Sequence, residues 1–146
     1  MFMPTLTVPA ISALTAGVLI VMQMVLLLTV VLSRRSTRQS LGDGGNAGML
    51  RAIRRHGNLA ENAAIFVICA ALLEMLGESR VVVEILCGAF VLARLSHAIG
   101  LSFGRTVNIF RFLGVTTTVI VGITVGVKLI QIAWPLTNLS TFLQRL

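Results

Sequence analysis

Tyrosine is absent from this chain, tryptophan occurs once, and histidine and cysteine occur twice each. Five acidic residues stand against twelve lysines and arginines. Each shortage excludes something. A nucleic-acid-binding face interleaves clustered basic charge with aromatic side chains, so a net charge of +7 without them does not make one, and no nucleic-acid partner is expected. Cys69 and Cys87 lie inside apolar runs, where cysteine packs as a small hydrophobe, and they form neither a ligand spacing nor a disulfide framework. Two isolated histidines, with no cysteine or carboxylate at ligand spacing, are too few for a metal centre. Charged residues make up only 12 % of the chain, against ~25 % in soluble proteins.

What the chain has instead is long apolar runs. With 56 % apolar residues and a mean hydropathy of +0.96, it reads as one integral membrane domain over its 146 residues. Four spans are expected, at about 11–32, 51–76, 81–103 and 112–134. The first carries no charge and can cross a hydrocarbon core of ~30 Å. Its basic residues follow it rather than precede it, so it reads as a retained span and not a signal peptide. The fold expected is an all-α, membrane-embedded four-helix bundle.

Charge collects in the connections. Arg34, Arg35 and Arg38 follow the first span, and Gly42 to Gly48 reads as a flexible hinge. The GDGG within it lacks the GK[ST] of a phosphate-binding loop. Gly77 to Arg80 is a tight turn, and a second basic turn holds Arg105, Asn108 and Arg111. The positive-inside rule puts both basic connections in the cytoplasm and both termini outside. Lys128 is placed to snorkel, Trp134 to anchor at the interface, and Pro135 to stop the fourth helix.

The second span opens with the most polar stretch of the chain, RAIRRHGNLAEN. At helical rotation, Arg51, Arg54, Arg55, Asn58, Glu61 and Asn62 form one stripe within roughly 120°. Glu61 cannot face lipid, so the stripe faces other helices or a wet cavity. Counting ~1.5 Å per residue from the inner helix ends puts Gln23, Glu61 and Arg94 on one level. Asn58 and His97 share a lower one. A Glu61–Arg94 ion pair is expected, because either charge alone would be buried unpaired. Arg51, Arg54, Arg55 and Arg111 bring surplus cations to one mouth, which suits an anionic ligand entering from the cytoplasm.

RRHGNLAE (Arg54 to Glu61), ARLSHAIGL (Ala93 to Leu101) and NIFRFLG (Asn108 to Gly114) resemble the MAPEG family, membrane-associated proteins in eicosanoid and glutathione metabolism. The short Gly-rich turns look most like its bacterial members. The resemblance implies a four-helix bundle assembled as a homotrimer in the bacterial inner membrane, with glutathione as co-substrate bound between subunits. By position it implies Arg51, Arg54, Asn58, Glu61, Arg94 and His97 as binding residues, and Arg111 as the catalytic residue that stabilises the thiolate. The chain departs from the family pattern in three places. Gly57 stands where several members carry Arg, Asn62 to Ala64 replace a Tyr-x-Pro region, and Leu101 stands where active members often have Tyr.

Three functions compete. The first is a glutathione-dependent transferase or peroxidase acting on lipophilic small molecules. The second is a non-catalytic membrane protein whose polar cluster serves trimer assembly or anionic-ligand binding. A channel is the weakest reading, because the outer half of the second span offers only Glu74 as polar lining beyond Cys69.

Overall fold

The structure, a computed structural model, describes residues 8–103 and 108–137. Four helices account for nearly all of them: α1 (Ala10–Thr37), α2 (Ala47–Met75), α3 (Arg80–Ser102) and α4 (Ile109–Leu136). All four are long and apolar enough to cross a membrane. Large aliphatic side chains on every helix are exposed, as lipid-facing positions are. Arg105 lies outside the described residues.

The helix ends depart from the sequence reading where local hydrogen bonds extend or close them. α1 continues past Leu32 through Arg34 and Arg35, ending at a left-handed Arg38 (φ 54°). α2 starts four residues before Arg51, because Asn46 caps it by accepting from the Met49 N–H at 2.9 Å. Asn108 caps α4 in the same way, accepting from the Arg111 N–H at 3.0 Å. Pro135 does not stop α4 but sits in its last turn. The expected hinge is tied down, since the Arg34 guanidinium donates to the carbonyls of Gln39, Ser40 and Gly42.

α2 and α3 are the central pair. Their turn is a Schellman closure, with Gly77 N–H on the Glu74 carbonyl at 3.1 Å and Glu78 N–H on the Leu73 carbonyl at 3.2 Å. The motif needs a left-handed residue, and Gly77 supplies it at φ 86°. α1 packs on one side of the pair and α4 on the other, and among the described residues no Cα of α1 comes within 8 Å of one in α4. In a bilayer the drive to bring helices together is packing and hydrogen bonding rather than water exclusion. Phe66 and Phe90, stacked with ring centroids 3.7 Å apart, join α2 to α3 at mid-depth.

Two carboxylates at the α2–α3 turn reach the outer helices. Glu74, 7 % exposed, accepts from the N–H groups of Ile11 (3.0 Å) and Ser12 (2.9 Å) and from the Ser12 hydroxyl (2.7 Å). It thereby satisfies orphan donors at the start of α1 and meets the positive end of that helix dipole. Glu78 pairs with Lys128 of α4 at 2.8 Å, so Lys128 finds a protein partner instead of merely snorkelling. That bond, the largest influence, holds the Glu78 carboxyl below its ordinary value of 4.5.

Candidate functional site

At the opposite end of the bundle, α2, α3 and α4 enclose a cavity of about 770 Å³, open on one side. α2 gives it Arg51, Arg54, Asn58 and Glu61, spaced three or four residues apart so that they stack on one face. α3 gives His97 and Leu101, and α4 gives Arg111 and Val115. Leu50 and Ile53 complete an aliphatic wall. Of the ionisable residues lining it besides His97, three are arginines and one is a glutamate, so the cavity is cationic.

Close contact between α3 and α4 sets Arg111 beside His97. A Cβ on Gly114 would stand 2.7 Å from the Ala93 carbonyl oxygen and 2.8 Å from the His97 nitrogen. One on Gly100 would stand 2.7 Å from the Arg111 nitrogen. Only hydrogen fits at either position. Asn108 adds a clamp, since its Nδ2 donates to the Gly100 carbonyl at 2.6 Å while its Oδ1 caps α4. The His97 side chain is buried there, 5 % exposed.

Two expectations need correction. Glu61 and Arg94 share no ion pair or hydrogen bond. Arg94, 4 % exposed, instead donates through Nη1 to the Asn58 side-chain oxygen at 2.7 Å and to the Asn58 carbonyl at 3.3 Å. It stands behind the lining rather than in it, with its guanidinium 5.9 Å from the Phe90 ring centroid. Gln23 makes only a long 3.5 Å contact to the His56 carbonyl. Arg55, counted among the cations at the mouth, turns away from the cavity and donates to the Ser102 hydroxyl at 2.9 Å.

Arg51, Arg54, Asn58, Glu61, His97 and Arg111 are therefore brought together, and Arg94 supports one of them. Asn108, Gly100 and Gly114 build the site through helix contacts that the sequence does not spell out. The N-cap position of Asn108 was the one available signal. Among the described residues, no group of three or more histidines, cysteines or acids is placed to hold a metal. Such a cavity can bind a small anion-bearing molecule, and a cation beside a thiol would favour its thiolate form.

Comparison with known proteins gives one result. The model of the MAPEG family matches residues 12–130, most of the chain and all of the site. No curated protein and no solved structure matches it.

Proposed function

This chain belongs to the MAPEG family and is a multi-pass membrane protein of four apolar helices, and from that premise we propose that it is a glutathione-dependent transferase or peroxidase acting on lipophilic electrophiles. The observation that carries this reading is the single cavity in which Arg51, Arg54, Asn58, Glu61, His97 and Arg111 meet. Glutathione bears two carboxylates and one ammonium. Arg51 and Arg54 suit the carboxylates, Glu61 the ammonium, and Asn58 and His97 the amide groups. Arg94 acts at one remove, fixing the Asn58 side chain.

Arg111 is the residue assigned to the thiol. A guanidinium beside the sulfur favours the thiolate, which is the nucleophile in conjugation. Leu101 offers no hydroxyl to share that role. The electrophile arrives from the bilayer against Leu50, Ile53, Leu101 and Val115.

The active form in this reading is a homotrimer in the bacterial inner membrane, with both termini outside. Support comes from the excess of arginine over acid in the cavity and from its open side, which a neighbouring subunit could cover. Native mass spectrometry in mild detergents tests it, and monomers alone would refute it.

The deciding experiment is calorimetry of the detergent-purified protein with glutathione and with S-methylglutathione, joined to an ultraviolet titration of the bound thiol. Binding with the thiol pKa lowered supports the enzyme. Binding with an unshifted thiol supports the second reading, a non-catalytic binder, which Leu101 in the cavity wall favours.

A further inference from the structure

Asn108 stands at the N-cap of α4, and its side-chain amide serves two helices at once. Its Oδ1 accepts from the Arg111 N–H at 3.0 Å and closes the first turn of α4. Its Nδ2 donates to the Gly100 carbonyl at 2.6 Å, among the last carbonyls of α3, which have no partner within that helix. One side chain thus ties the turn that carries Arg111 to the turn that follows His97. Asparagine suits this double task, because one planar group holds an acceptor and two donors, whereas aspartate offers acceptors alone.

Gly100 makes room for the tie. A Cβ there would stand 2.8 Å from Asn108 Oδ1 and 2.7 Å from Arg111 Cγ, so the stem of the Arg111 side chain lies directly against α3. Other contacts hold the two helices together at this end. The Ser96 hydroxyl donates to the Phe110 carbonyl at 2.9 Å, and the Phe103 and Phe110 rings stack with centroids 6.0 Å apart. What Asn108 adds is local. It fixes the height and rotation of the first turn of α4, and with them the direction in which Arg111 enters the cavity.

We propose that Asn108 is a positioning residue for the reaction, setting the Arg111 guanidinium against the reacting sulfur without touching the ligand. Arg111 lines the cavity and Asn108 does not. That the sulfur belongs to glutathione rests on the function proposed above; that Asn108 fixes Arg111 does not. The consequence for rate is large, because a misplacement of about an ångström in such a group can cost ~10²-fold.

The test compares Asn108→Ser and Asn108→Ala with wild type, using the full chain in lipid nanodiscs. Serine caps a helix about as well as asparagine but leaves the Gly100 carbonyl unserved. Asn108→Ser should therefore keep the wild-type melting temperature and a KM for glutathione within about twofold. Its kcat should fall by about tenfold or more, towards ~10²-fold, and the pKa of the bound thiol should move back towards that of the free tripeptide. Asn108→Ala loses both bonds and should show the same kinetic defect with a lower melting temperature. Wild-type kcat and thiol pKa in Asn108→Ser would overturn the proposal. So would a kcat that falls only in step with the folded fraction while the thiol pKa stays, since Asn108 would then be a helix cap and nothing more. A readout that needs no ligand is the Nε–H resonance of Arg111 in protein carrying isotope-labelled arginine, identified by its loss in Arg111→Lys. It should shift or broaden in Asn108→Ser. If wild type binds no glutathione, the glutathione reading falls and this resonance decides alone: movement supports the positioning role, and an unmoved signal overturns it.

Discussion

Arg94 and Asn58 are bonded at the back of the site, with Nη1 of the arginine 2.7 Å from the asparagine side-chain oxygen. Asn58 faces the cavity and Arg94 does not. The arginine therefore holds in place a residue that can touch ligand, without touching it. Counting residues from the helix ends gives depth along the axis but not rotation about it. Depth put Arg94 level with Glu61, whereas its guanidinium reaches the residue one turn nearer the cavity mouth.

This contact predicts which pair is coupled. A double-mutant cycle of Asn58→Ala with Arg94→Leu should be non-additive by about 0.5–3 kcal/mol in detergent unfolding. The cycle of Glu61→Gln with Arg94→Gln should be close to additive. The reverse pattern would mean that Arg94 pairs with Glu61 after all.

The two carboxylates of the far end should fail differently. Glu74→Ala strips the acceptor from the Ile11 and Ser12 N–H groups and the Ser12 hydroxyl, at about 1–3 kcal/mol for each donor that stays buried. A clear drop in melting temperature is expected, with Ser12→Ala milder. Glu78 gives a pH signature instead. Its folded pKa is depressed by Lys128, so the pair stabilises fully above the ordinary value of 4.5 and loses its effect as pH falls below it. The amplitude is on the order of 1 kcal/mol, because Lys128 keeps 31 % of its side chain exposed. Melting curves of wild type and Glu78→Gln should differ at neutral pH and converge under acid.

What the sequence disclosed follows from periodicity. The stripe on α2 repeats at helical spacing, so its residues could be grouped before any neighbour was known. The partners of that stripe were less legible. Nothing local connects Glu74 to Ser12, which lies 62 residues away. Gly100 and Gly114 are visible as poor helix formers, but the backbone they admit belongs to another helix. Arg55 shares the stripe's spacing and still leaves the cavity, because a long side chain chooses among neighbours that sequence does not place.

Gly114 should be intolerant of the smallest substitution. A methyl group there meets the Ala93 carbonyl and the His97 backbone, so α3 and α4 must separate by a few tenths of an ångström or more. Overpacking of this kind typically costs 1–3 kcal/mol. Activity should fall further than stability does, since Arg111 and His97 sit on the two helices being separated. Small displacements of positioned groups can cost up to ~10²-fold in rate. Gly122→Ala, whose Cβ would meet open space, is the control and should leave the melting temperature unchanged or raised.

The last prediction separates binding from chemistry within the arginines. In the proposed enzyme Arg111 stabilises the thiolate without help from a tyrosine, since the chain has none. Removing one preorganised donor of this kind typically lowers rate 10²–10³-fold, about 2.7–4 kcal/mol. Arg111→Ala should therefore nearly abolish conjugation with a lipophilic electrophile while the oligomer stays intact by native mass spectrometry. Arg54 is assigned to a carboxylate of glutathione, a contact made equally in ground and transition states. Arg54→Ala should then raise KM for glutathione with kcat largely kept. Steady-state kinetics over a glutathione series distinguishes the two. Equal losses in kcat from both variants would mean that neither arginine has the separate role assigned to it.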